Sequence, residues 1–168
     1  MNLSISSMQV FSFFIRICIV FFLLLIIFSA TNHFGCVVGG SCMVSLKSDN
    51  GSDKGKYVAV GATDKDVNAN LDAIDASAIW EVEFVNNSTD QVSFKGANGK
   101  FMIAHGSGEI EATATRVSLW ETYTLEDKGN GKFAIKTHHK RYLVSCHGGL
   151  NSIKDADAET FEIVVQSK

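Results

Sequence analysis

The sequence predicts an all-β chain closed as a β-trefoil from three internal repeats, preceded by one N-terminal hydrophobic helical segment. Three recurring features carry that prediction. A strand opening appears as Val44-Ser45-Leu46-Lys47, Val92-Ser93-Phe94-Lys95 and Phe133-Ala134-Ile135-Lys136. A second match follows each: Gly55-Lys56-Tyr57-Val58-Ala59, Gly99-Lys100-Phe101-Met102-Ile103-Ala104 and Lys140-Arg141-Tyr142-Leu143-Val144-Ser145. Each unit then closes on an aromatic-Glu pair that leads into a hydrophobic strand, at Trp80-Glu81, Trp120-Glu121 and Phe161-Glu162. Self-similarity at a fixed period is the mark of a repeat architecture.

Taken in order, the elements read as strands and turns. Val44, Leu46 and Val92, Phe94 alternate with Ser and Lys, the period-two pattern of a half-buried strand. Asn50-Gly51, Asn98-Gly99 and Asn130-Gly131 are turn dipeptides, because both residues accept the positive φ of a tight hairpin. From Tyr57 to Trp80 is 23 residues, and from Phe101 to Trp120 and Tyr142 to Phe161 is 19 each. Leu46 to Tyr57 is 11, against 7 for Phe94 to Phe101 and Ile135 to Tyr142. Repeat one therefore carries two four-residue insertions, around 51–54 and within 64–76. Four short strands per unit give twelve in all, and three equivalent copies close a barrel and remove its sheet edges. Tyr57, Phe101 and Tyr142, and likewise Trp80, Trp120 and Phe161, are expected as stacked aromatic layers near the axis. The chain has no Pro, in keeping with strand ladders.

Composition divides the chain. Of its 168 residues, 46% are hydrophobic and the formal net charge is −3. Residues 1–41 hold a single charged side chain, Arg16, and 7 of the 12 Phe. Residues 42–168 carry 14 Lys+Arg against 18 Asp+Glu, a net charge of −4. That balance excludes a strongly basic nucleic-acid binder. The expected domains are a hydrophobic leader at 1–41 and the trefoil at 42–168, with repeats at about 42–90, 91–131 and 132–168.

Residues 17–28 have no polar side-chain atom but the Cys18 thiol. This twelve-residue run is short for a membrane span, which needs about 17–25 residues, and fits the apolar core of a signal peptide. Three readings stay open: signal peptide, signal anchor that would contact a membrane through 17–28, or a spurious segment upstream of a start at Met43. A start at Met43 places the protein in the cytoplasm and cytoskeleton; the others place it in the secretory pathway or in a membrane as a single-pass protein. In the secretory case Asn86 and Asn87 head overlapping N-glycosylation sequons, Asn86-Asn87-Ser88 and Asn87-Ser88-Thr89. Cys36, Cys42 and Cys146 are odd in number and irregularly spaced, which reveals no disulfide framework.

The repeated Lys-x-x-x-Gly-Lys-Tyr/Phe-Φ-x-Ala/Ser pattern with its closing aromatic-Glu strand resembles the actin-crosslinking β-trefoils, the fascin domains and hisactophilin. The segment 136–145, with Thr137-His138-His139 and Tyr142-Leu143, is especially similar to the hairpin repeated in hisactophilin. The likeness covers about residues 43–165. It implies a non-catalytic protein that binds F-actin, crosslinking filaments only through self-association or a second face.

Candidate chemistry is sparse. Lys136, His138, His139, Lys140 and Arg141 form the one local basic cluster, suited to acidic actin or to anionic head groups. His138, His139, Cys146 and His147 lack metal-ligand spacing, so no metal site is expected, and no cofactor fingerprint occurs. Cys146 and His147 are adjacent on a predicted strand, where their side chains should diverge. Asp64, Asp66, Asp72 and Asp75 lack the calcium-loop pattern. No nucleophile motif is present, so the chain is read as non-enzymatic. Trp80 and Trp120 lack the Gln-x-Trp context of ricin-type sugar sites and are expected in the core. The alternative to actin is a secreted or membrane-anchored trefoil acting as a lectin-like or cytokine-like ligand.

Overall fold

The computed structural model describes residues 35–36, 40–63, 65–154 and 159–166. The chain divides into two units, Met1–Thr31 and Asn32–Lys168. The expected helical leader and its apolar run at 17–28 lie outside the described residues. Among the described residues no helix is long and apolar enough to cross a membrane.

Among the described residues twelve strands follow in order: β1 (Ser41–Ser48), β2 (Tyr57–Val60), β3 (Val67–Leu71), β4 (Trp80–Phe84), β5 (Gln91–Lys95), β6 (Phe101–Ala104), β7 (Ile110–Ala114), β8 (Tyr123–Gly129), β9 (Lys132–Thr137), β10 (Tyr142–Cys146), β11 (Gly149–Ile153) and β12 (Phe161–Val165). Six of them close a ring. β1 pairs with β4, β4 with β5, β5 with β8, β8 with β9, β9 with β12, and β12 with β1, all antiparallel. Closure leaves this barrel without a free edge. The hairpins β2–β3, β6–β7 and β10–β11 cap one end. They are tied to one another by equivalent bonds: Ala69 N–H to Gly148 O at 2.9 Å, Ala112 N–H to Lys65 O at 2.8 Å and Ser152 N–H to Gly108 O at 2.8 Å. This threefold arrangement is the β-trefoil that the repeats predict.

The core is built in equivalent sets. Val44, Val92 and Phe133 form one, Leu46, Phe94 and Ile135 a second, and Val58, Met102 and Leu143 a third, all buried. The bottom of the barrel is filled by Trp80, Tyr123 and Phe161, each 0% exposed. Here the expected aromatic layer needs correction. Trp120 is not its third member; it is 45% exposed on a 3₁₀ turn, Leu119–Glu121, and Tyr123 takes the core place. The correct repeat landmark is Glu121-Thr122-Tyr123 beside Glu159-Thr160-Phe161, with Ala78-Ile79-Trp80 in repeat one. The aromatic-Glu match had set repeat two three residues out of register.

The other expected layer also moves. Tyr57 and Phe101 are only half-buried and, with Tyr142, lie outside the central cluster. Each ring instead sits under a Lys at or next to the end of the preceding barrel strand. Lys47 Nζ lies 5.6 Å from the Tyr57 ring, Lys95 5.9 Å from Phe101 and Lys136 5.2 Å from Tyr142. The same pairs are opposite in the ladders, which accounts for the recurrence of both residues.

Two local details complete the scaffold. At Gly96 an added Cβ would fall 2.5 Å from Val60 and 3.1 Å from the Trp80 ring, so glycine is needed there for the large indole to fit below. Cys36 and Cys42 form a disulfide with Cα atoms 6.0 Å apart, tying Cys36 to β1, while Cys146 stays free.

Candidate functional site

Between each cap hairpin and the next barrel turn the trefoil makes a cleft, so the fold offers three equivalent places for a ligand. The first, about 530 Å³, is lined by Gly61, Asn68, Asn70, Ser77, Ala97 and Asn98 among others. The third, about 620 Å³, is lined by residues that include Asn50, Gly51, Cys146, Asn151 and Glu159. One polar position recurs in all three. Asn68 opposes Ala59, Glu111 opposes Ile103 and Asn151 opposes Val144 at the same hairpin register.

The second place is occupied differently. The equivalents of Gly61, Ser77, Ala97 and Asn98 are His105, Trp120, His138 and His139. Their rings meet edge to face: Trp120 and His139 at 5.4 Å between centroids, Trp120 and His105 at 6.0 Å, His138 and His139 at 5.6 Å. The turn bearing Trp120 is pinned from below. Ser118 N–H donates to Glu121 Oε2 at 2.8 Å, and the Ser118 hydroxyl donates to the same oxygen at 2.6 Å. The buried Glu121 carboxylate thereby holds the turn with its indole outward. Beside it Leu119 is 63% exposed.

Charge gathers at the edge of this ledge. Lys65 Nζ is 2.6 Å from Glu111 Oε1, and His105 Nε2 is 3.5 Å from Glu111 Oε2. The Lys65 hydrogen bond holds the Glu111 carboxyl below its usual range, with burial acting against it. His139 Nε2 is closed to solvent and has no hydrogen-bond partner among the described residues.

The predicted basic cluster is split by the same geometry. His138 and Lys140 are exposed at the β9–β10 turn, where Lys140 takes a φ of 58°. His139 packs against Trp120. Arg141 turns inward, donating from Nε and from its second terminal nitrogen to Ser152 O at 3.0 and 2.7 Å. Lys136 faces the other way, 3.4 Å from Glu126 Oε1 and over the Tyr142 ring. Two cations of the five residues thus serve the scaffold as well as the surface. Asn86 and Asn87 are exposed on the β4–β5 connection, with φ of 55° and 54°.

The third cleft holds a buried carboxylate. Glu159 accepts from Ser145 N–H at 2.5 Å and from the Ser145 hydroxyl at 2.7 Å, and also from the Ser48 hydroxyl. Burial nonetheless raises its pKa. This knot joins β1 to β10 across the chain. Close by, Cys146 Sγ lies 3.0 Å from His147 Nδ1. The expected divergence of these two side chains is therefore wrong: His147 lies past the strand with φ of 52°, which turns its ring back. Sequence spacing missed both the ledge and this pair, because their geometry is made by turns.

The model of the Fascin domain matches residues 54–165, two-thirds of the chain and every strand but β1. The chain belongs to the fascin-domain family. Among solved structures it is similar to SeviL, described as bound to the asialo-GM1 saccharide, at 16% identity with a TM-score of 0.61, covering 74% of this chain and 97% of that one. It is also similar to ThreeFoil, a designed threefold-symmetric protein, at 16% identity with a TM-score of 0.58, covering 73% and 97%. At that identity the likeness concerns the fold. No curated protein matches the sequence significantly.

Proposed function

We propose that this fascin-domain chain is a non-catalytic binding module whose partner is the actin filament. The single observation supporting this is the family match, which runs from β2 to β12 rather than over one motif. The contact face is the β9–β10 turn, where Lys140 and His138 project into solvent and Arg141 adds charge from behind. Such a turn suits the acidic surface of a filament. One barrel has one such turn, so crosslinking requires a second copy or a second face.

High-speed cosedimentation of the full chain in mild detergent, with a filament-free control, tests this at about pH 6 and about pH 7.5. Filament-dependent pelleting is expected, weakened several-fold by Lys140→Glu. Absence of pelleting at both pH values rejects the reading. Arg141 is unsuitable for this test because its bonds to Ser152 are structural.

A second reading, a lectin-like extracellular ligand, is favoured by a specific observation. The Cys36–Cys42 disulfide belongs to the chemistry of oxidising compartments. The exposed Asn86 and Asn87 would be available to glycosylation there. Intact mass of the chain made in a eukaryotic host separates the two: a glycan on either Asn excludes the cytosolic actin reading, and a bare chain with reduced Cys36 and Cys42 excludes the extracellular one.

A further inference from the structure

We infer that the ledge made by Trp120, His105 and His139 is a binding site for a neutral pyranoside, with the sugar's apolar face on the indole and its hydroxyls at Glu111. The inference gives the lectin-like reading its site and rests on that reading for a natural ligand.

Symmetry isolates what the scaffold requires from what it does not. In the first cleft the barrel closes with Gly61, Ser77, Ala97 and Asn98 at the four positions, and those small side chains leave an open space of about 530 Å³. Folding therefore does not call for rings there. The second cleft nevertheless holds an indole and three imidazoles at the same positions, drawn from three separate segments of the chain. The indole remains 45% exposed, although a large apolar side chain gains about 1.5–3 kcal/mol from full burial. It is also held firmly, by edge-to-face contacts on two sides and by the Ser118–Glu121 bonds below. A rigid, half-exposed aromatic ring beside a carboxylate is amphipathic in the way a sugar ring is: one side offers C–H bonds, the rim offers hydroxyls.

The ligand's charge follows from the rim. Glu111 is already paired with Lys65, which leaves carboxylate lone pairs for hydroxyl donors and little net charge to attract an ion. The same register position carries an amide in the two sister clefts, Asn68 and Asn151. A hydrogen-bonding group at that position is common to all three clefts; the stacking platform belongs to one.

The test uses the fact that the chain has only two tryptophans, one buried and one on the ledge. The full chain, labelled with ¹⁵N and held in mild detergent, is titrated separately with methyl β-galactopyranoside, methyl α-mannopyranoside and methyl N-acetyl-β-glucosaminide. A saturable shift of the Trp120 indole N–H is expected with at least one of them, at a Kd of order mM, while the Trp80 signal stays in place. Trp120→Ser installs the residue repeat one carries at this position. It should weaken binding at least about tenfold while the chain stays cooperatively folded, and Trp120→Phe should retain part of the affinity. Binding that survives Trp120→Ser unchanged overturns this site but leaves the lectin-like reading standing, with a sister cleft as its location. No response to any of the three sugars overturns both the site and the lectin-like reading.

Discussion

The bottom of the barrel and the second cleft each depend on a tryptophan, and the two indoles answer to different demands. Trp80 is 0% exposed, packs under Gly96 and donates from Nε1 to Val58 O at 2.9 Å. Its threefold equivalents Tyr123 and Phe161 are also aromatic and fully buried. Trp120 is 45% exposed, and the equivalent position in repeat one is Ser77. Where three copies of a position agree, packing has set the residue. Where one copy departs toward a large exposed ring, packing of the barrel does not require it, which is the ground for the sugar site proposed there.

Substitutions can break or sharpen this contrast. The largest effect belongs to the barrel: Trp80→Ala should cost about 3–5 kcal/mol in urea unfolding, because it opens a cavity between all three repeats. Glu159→Ala should cost about 1–3 kcal/mol, since the buried Ser145 N–H would lose its acceptor. Tyr123→Phe runs the other way. The Tyr123 hydroxyl is buried without a hydrogen-bond partner among the described residues, so removing it should stabilise by about 1 kcal/mol.

Glu159 also gives a pH signature. Burial raises its folded pKa above the ordinary 4.5, so the folded chain holds this proton where the unfolded chain has released it. Its contribution to stability therefore falls as pH climbs from about 4.5 through the raised folded value. Glu159→Gln can turn its carbonyl to Ser145 N–H and its amide to the two hydroxyls, and should flatten that slope in unfolding measured across this range. A slope unchanged by the substitution would show that other groups set it.

The fold was legible because the alternation of Val44, Leu46 and their counterparts specifies strands, and because three copies of one pattern have few ways to close. The layer assignments were less legible. Trp120-Glu121 imitates Trp80-Glu81 in composition, yet Glu121 belongs to a turn and Tyr123 begins the strand. The alternation Tyr123, Leu125 beside Trp80, Val82 and Phe161, Ile163 carried the correct register. Tyr57 and Phe101 look like core residues in sequence, and only the Lys opposite each in the ladder explains their half-buried place. The disulfide was hidden by an odd cysteine count. The ledge was hidden because residues 105, 120 and 139 come together through tertiary contacts, which spacing along the chain does not record.

The separation of scaffold from ledge has its most direct test in the urea unfolding of Trp120→Ser beside the parent chain. If the ring serves a ligand, as the threefold comparison holds, the unfolding free energy should fall by no more than about 1–2 kcal/mol, the scale of its two ring contacts. A loss of about 3 kcal/mol or more, the scale of a buried aromatic, would contradict the account and return Trp120 to the core.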